Sequence, residues 1–347
     1  MPGTSREIRL AVQPDGLPRP EHFTVAETPM PVPRDGDGDG DGDGDGGVLV
    51  RNRFFHVSPA LRSLIGGSLA DAPFPGLAPG DTLYGKAIGE VVSAPPDAGV
   101  RPGDLVQHWL GWREYAAVPA GQWSPLDGAL PGPEAHLGQA SIAYTALTRD
   151  ARLRPGDTVF VSGGAGGIGS LAGQIAKALG AGRVIGSTGS PEKAKRLVTE
   201  LGYDAAVLRG ERPVADQLAE AAPDGIDVLV DNVGGEQLQA AIAVARPGAR
   251  FAIVGTLSGQ LSPDLGGTTA PVEIDTFQLI VKGIEMRGFG SSAGDTAEPG
   301  WAERVGGWLR SGEITFPHVR VAGIENAPRA LHEVIGGRHL GTVIVEL

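Results

Sequence analysis

Along the first 138 residues, apolar positions come in short runs broken by Pro and Gly. "REIRLAV", "GVLVRNRFF", "DTLYGKAIGEVV", "GDLVQHW" and "REYAAVP" each carry β-favouring residues with turn signals between them, which predicts a β-rich domain. Near Ala140 the period changes. "DTVFVSGGAGGIGSLAGQIAKALG" reads as a buried strand, a glycine turn and an amphipathic helix, with Leu171, Ile175 and Leu179 at four-residue spacing. Three more apolar strands follow, "RVIGSTG", "IDVLVDNVG" and "ARFAIVG", with "PEKAKRLVTELG" and "EQLQAAIAVA" as helices among them. Strand–helix alternation predicts β-α-β units in a doubly wound parallel sheet, an α/β architecture. From about Gly312 the short pieces return, with a helix around "NAPRALHEVI" and a last strand "GTVIVEL". The pattern predicts an α/β domain at 139–310 inserted into a discontinuous β-rich domain at 1–138 and 311–347, with the binding cleft between them.

Composition narrows the function. The chain has 347 residues, 41% of them apolar, enough for two ordinary cores. It has no Cys, so disulfides, thiolate metal sites and Cys nucleophiles are excluded. A formal charge of −12 argues against nucleic-acid binding. The start, "MPGTSREIRLAV", has no apolar signal core, and no run of 18 apolar residues occurs, so a cytoplasmic protein without membrane attachment is expected.

Six Asp-Gly pairs run through 35–47. A calcium loop starting at Asp35 would need a bidentate Glu at its twelfth position, which is Gly46. Asp-Gly is turn chemistry and like charges repel, so the run is read as an expanded surface loop entering the strand "VLVRNRFF".

Gly164, Gly166 and Gly169 spell G-x-G-x-x-G. A strand precedes them and a helix follows, which is the context a dinucleotide fingerprint requires. Glycines there let backbone N–H groups approach a pyrophosphate at the positive end of a helix. An NAD site would place an acid at the end of the next strand. Here Ser187, Thr188 and Ser190 stand there, followed by Lys193, with Arg209 after the next strand. Hydroxyls and cations suit a 2′-phosphate, which predicts NADPH.

With these residues assembled, the chain resembles the zinc-free medium-chain dehydrogenase/reductases. Within them it is similar to the branch of prostaglandin reductases and plant double-bond reductases. "VLVRNRFFHVSPALR", "GWREY", "IAYTAL", "VSGGAGGIGSLAGQIAKALG", "ELGYDAAV" and "DNVGG" carry the resemblance in order. It implies a Rossmann domain inserted into a GroES-like substrate domain. It also implies NADPH-dependent reduction of the C=C bond of α,β-unsaturated ketones or aldehydes, without a metal. Further cofactor contacts are implied at Gly167, Ile168, Asn232, Val254, Gly255, Phe289 and His339. Substrate contacts are implied at Asn52, Ser58, Tyr84, Trp109 and Gln260, and a homodimer through the edge strand "GIEMRGF" at 283–289.

The departures fall on the acid. Ala60 replaces the branch's first tyrosine and Gln260 stands where the second is usual, leaving Tyr84 and Tyr144 as candidate proton donors. His339-Leu340-Gly341-Thr342 replaces the branch's Asn-x-Gly-Lys. Two other readings use the same fold and cofactor: a quinone reductase, and a protein that binds NADPH without catalysis. A serine hydrolase is disfavoured. Gly290-Ser291-Ser292-Ala293-Gly294 spells G-x-S-x-G, but turn-like "GDTAEPG" follows where a nucleophile elbow needs a helix.

Overall fold

A computed structural model describes residues 3–33, 47–66, 75–265, 267–290 and 297–347. The Asp-Gly run up to residue 46 and the serines of the G-x-S-x-G stretch lie outside the described residues.

The central part of the chain forms a six-stranded parallel sheet. In chain order the N-terminal half supplies β1 (Thr4–Leu10), β2 (Phe23–Pro29), β3 (Val48–Val57), β4 (Ala87–Ser93), β5 (Leu105–His108), β6 (Tyr115–Val118) and β7 (Ser124–Pro125). The parallel sheet is built from β8 (Thr158–Val161), β9 (Arg183–Thr188), β10 (Ala205–Leu208), β11 (Ile226–Asp231), β12 (Ala245–Ile253) and β13 (Glu285–Gly288). Its spatial order, β10-β9-β8-β11-β12-β13, is the dinucleotide-binding order, with the switch point between β8 and β11.

Helices cover both faces of this sheet, so its strands read as continuous apolar runs. The helices are α1 (Leu61–Ile65), α2 (Ala140–Thr145), α3 (Gly169–Ala178), α4 (Pro191–Glu200), α5 (Val214–Ala221), α6 (Glu236–Val244), α7 (Leu257–Gln260), α8 (Thr276–Lys282), α9 (Trp301–Ser311) and α10 (Ala327–Ile335). The two-residue period of β8 divides its side chains. Val159 and Val161 pack into the core shared with α2, α3 and α9, and Phe160 packs into the opposite core with α5 and α6.

The two last strands, β14 (His318–Ala322) and β15 (Thr342–Glu346), return to the N-terminal half. β15 pairs antiparallel with β3, and the sheet runs β14-β15-β3-β4-β5-β7, with β6 also on β3. Its inner face is closed by Phe55, Val57, Leu83, Trp112 and α10. The described residues contain no helix long and apolar enough to cross a membrane.

Candidate active site

A cavity of about 670 Å³ opens where the two sheets meet. The Rossmann side supplies the strand ends and the turn before α3. The β-rich side supplies the end of β3, the turn before α1, the end of α10 and the loop from there to β15. Backbone bonds join the two walls: the Gly341 N–H donates to the Ala165 carbonyl at 2.9 Å. Lys193 Nζ donates to the Gly337 carbonyl at 2.5 Å.

The glycine loop is shaped by crowding. A Cβ on Gly169 would lie 2.3 Å from the Gly163 carbonyl oxygen, so only glycine lets α3 start this close to the turn. A Cβ on Gly167 would sit 2.5 Å from Gln139 Oε1, filling the space in front of the helix N-terminus. Gly164 is near the loop but does not line the cavity. Its N–H donates to the Ser187 carbonyl at 2.8 Å, and its bare Cα lets β9 pack against the turn.

At the far end lie Thr188, Gly189, Lys193 and Arg209. Neither cation forms an ion pair among the described residues. Burial, then the charge of Arg209, holds Lys193 below its ordinary pKa, with Glu192 opposing. Two cations that repel each other across a pocket are a fit for a 2′-phosphate. The hydroxyls do other work. Ser187 Oγ accepts the Gly163 N–H at 2.9 Å and is bonded to Gln237 Oε1. Ser190 does not line the cavity; it caps α4, accepting the Lys193 backbone N–H at 3.3 Å. Thr188 lines the cavity, and its Oγ1 accepts the Ser190 N–H at 3.4 Å, holding the turn into α4.

Nearer the middle, Asp231 accepts from Ser162 Oγ, the Val233 N–H and the Gly234 N–H, and so fixes the turn that carries Asn232. Asn232 Nδ2 donates to the Ser162 carbonyl at 2.8 Å. Its Oδ1 is buried without a hydrogen-bond partner among the described residues, as is Thr342 Oγ1, and both residues line the cavity. Orphaned buried polar atoms are costly unless something completes them. With the glycine cradle and the cation pair they fit a bound dinucleotide.

The remaining predicted contacts divide. Gly166, Gly167, Ile168, Gly169, Ser187, Lys193, Arg209, Asn232, Val254, Gly255, Phe289, His339, Ser58 and Gln260 all line the cavity. His339 is held by Glu333, 2.9 Å from its Nε2. Asn52, Tyr84, Trp109 and Tyr144 do not line it. Asn52 is buried in β3, where Nδ2 donates to the Leu110 and Arg113 carbonyls. Tyr84 Oη donates to the Pro75 carbonyl at 2.5 Å, and burial, then Asp81, raises its pKa to about 12. Trp109 is 50% exposed. Tyr144 is buried in the α2–α9 packing, its ring 6.3 Å from that of Trp308. Neither tyrosine is placed to protonate a substrate in the cavity. Sequence reasoning missed His56, Gln139, Gln237 and Thr342, which all line it. Only Thr342 carried a signal, as part of the departure at 339–342.

The comparisons with known proteins agree with this geometry. The model of the zinc-binding dehydrogenase family matches residues 167–303, and that of the N-terminal domain of oxidoreductase matches 6–126. The chain is 31% identical to a 2-alkenal reductase (NADP(+)-dependent) of Nicotiana tabacum, covering 86% of each. It is 32% identical to a (+)-pulegone reductase of Mentha piperita, covering 86% of this chain and 87% of the relative. The crystal structure of CurA from Vibrio vulnificus in complex with NADPH matches with a TM-score of 0.83 at 29% identity, covering 98% of each chain.

Proposed function

Since this chain belongs to the zinc-free medium-chain dehydrogenase/reductases, in their double-bond reductase branch, we propose that it reduces the C=C bond of α,β-unsaturated ketones or aldehydes. It is an NADP-dependent oxidoreductase, and its cofactor is NADPH. The observation that carries the finer reading is that one continuous cavity holds both ends of the proposed site. It runs from the Lys193–Arg209 end past Asn232 to a largely apolar wall made by Pro59, Ala60, Ile142, Leu257 and Leu261. The names of the tobacco and peppermint relatives support the same reading.

When bound, NADPH supplies the hydride that adds to the β-carbon. The protein's share is to hold the dinucleotide along the glycine loop, to seat the substrate against the apolar wall and to exclude water. A substrate carbonyl that gathers enolate charge needs a donor. Ser58, Gln139, Ser258, Gln260 and His56 are polar side chains among the lining there. NADPH consumption with a panel of enals, enones and quinones tests the reading. Turnover of enones and enals ahead of quinones is expected; turnover of quinones alone would replace it with the quinone reductase.

The proposal extends to a homodimer. β13 is the open edge of the parallel sheet. Beside it α8 exposes Phe277, Ile280 and Val281, and Met286 on β13 is partly exposed. A second copy pairing at this edge would cover both the strand and the apolar side chains.

A further inference from the structure

Conjugate reduction leaves an enolate that needs a proton at its α-carbon. No tyrosine is among the described residues that line the cavity, since Ala60 and Gln260 hold the two positions. Four titratable side chains line it: Lys193 and Arg209 sit at the Thr188 end, His339 is bound to Glu333, and His56 stands on the β-rich wall.

His56 has a neighbour that the chain order conceals. β3 and β4 pair with Phe55 opposite Ala87. One step further in this register puts His56 opposite Lys86, and the His56 N–H donates to the Lys86 carbonyl at 2.9 Å. Residues directly opposite share a face, with Cβ atoms about 4.5–5.5 Å apart. That face is the one carrying Phe54, Ile88 and Ile344, packed under the turn Pro133–Leu137. The turn brings in His136, with Asp127 acting on it; Glu134 of the same turn is paired with Arg320. β15 contributes apolar Ile344, opposite His56, and β5 contributes Gln107, opposite Ile88. No carboxylate forms an ion pair with His56, Lys86 or His136 among the described residues.

Burial, then the charge of Lys86, lowers His56 to about 4, so its ring is neutral at neutral pH. Burial lowers Lys86 to about 8, so it keeps its proton at pH 7 yet yields it more readily than a surface lysine. Burial and Lys86 also lower His136. Lys86 is thus the cation of the group; His56 lines the cavity, and Lys86, its partner across the register, does not.

Resting on C=C reduction as the reaction, we propose that Lys86 and His56 form the proton relay that completes it. One nitrogen of the neutral His56 ring gives its proton to the substrate α-carbon, where the enolate electron pair forms the new C–H bond. The other ring nitrogen takes a proton from the Lys86 ammonium. The enolate becomes the neutral saturated carbonyl compound, and His56 ends neutral in its other tautomer. Lys86 ends as the free amine and regains its proton from water. His56 is the catalytic residue of the pair; Lys86 acts through it.

The test is kcat for enone reduction between pH 6 and pH 10, on the native protein and on Lys86→Met, Lys86→Arg and His56→Gln. The native kcat is expected to fall as pH rises past about 8, when Lys86 loses its proton. Lys86→Met and His56→Gln should lower kcat at pH 7 about a hundredfold, within the range for general acids, and leave the NADPH KM unchanged. Lys86→Met should abolish the alkaline fall, and Lys86→Arg should move it above pH 10. Amine labelling of the cofactor-free native protein across the same pH range, read by peptide mass, should place Lys86 near 8 without any substitution. A flat native profile with Lys86 labelling like a surface lysine would overturn the relay. So would variants that keep the native rate and profile while the native protein reduces enones. If the native protein reduces no enone at all, the proposed reaction falls and takes the relay with it.

Discussion

The Tyr203 hydroxyl donates to the Gly169 carbonyl oxygen at 2.6 Å, from a side chain 2% exposed. Gly173 and Gly186 make room for its ring: a Cβ on Gly173 would lie 2.1 Å from it. Tyr203, three residues beyond α4, therefore pins the first turn of α3, the helix proposed to receive the pyrophosphate. Tyr203→Phe should cost about 1 kcal/mol, the net worth of one hydrogen bond. Gly173→Ala should cost about 1–3 kcal/mol through overpacking. Urea denaturation of both variants checks the order; a Gly173→Ala protein as stable as the native one would contradict this packing.

Lys193 and Arg209, both lining one end of the cavity, are the proposed determinants of cofactor preference. Lys193→Ala should raise the NADPH KM roughly tenfold or more, since a charge-assisted contact is worth about 1.5–3 kcal/mol. The NADH KM should stay nearly unchanged. Steady-state kinetics with both cofactors check this, and an equal loss for NADH would show that Lys193 matters only through its bond to the Gly337 carbonyl.

Buried His108 should make the fold acid-sensitive. Burial, then Arg113, lowers its pKa to about 3, while Nδ1 accepts the Leu110 N–H at 3.1 Å. A His held neutral in the folded state binds its proton first in the unfolded state. Stability is therefore unaffected above the unfolded pKa of about 6.5 and falls as pH drops from there towards 3. This one group contributes up to about 1.4 kcal/mol per pH unit. His108→Asn, which can keep the acceptor, should flatten the decline in urea midpoint between pH 7 and pH 4.5. An identical decline in both proteins would assign the acid sensitivity elsewhere.

Phe277→Asp with Ile280→Asp should convert a dimer to a monomer, since both side chains are more than 60% exposed in the single chain. Sedimentation velocity at micromolar concentration checks the mass. A native protein that sediments as a monomer would remove the proposed interface.

The parts legible in the sequence were those where one physical rule dominates. The change from short apolar runs broken by Pro and Gly to alternating apolar strands and amphipathic helices marked the α/β domain, because buried parallel strands and amphipathic helices leave clear patterns. Gly166 and Gly169 were legible because a strand, a turn and a helix flank them. Lys193 and Arg209 were picked out as cations where an NAD site would carry an acid, and both line the cavity. What one chain position could not show was where a side chain points. Ser187 and Ser190 sit at the right place, yet their hydroxyls brace the loop and cap α4. Tyr144 has the right chemistry but is enclosed between α2 and α9. His56 and Lys86 are 30 residues apart, and only the β3–β4 register brings them together.

The central claim, that hydride goes to a C=C bond, is tested most directly by following the label. NADPH carrying deuterium at the transferable C4 position is incubated with the enzyme and an enone, and the product is analysed by NMR. The account predicts the saturated ketone with deuterium at the β-carbon and the added α-proton drawn from solvent. Deuterium on the carbinol carbon of an allylic alcohol, or NADPH oxidation only when a quinone is supplied, would contradict it.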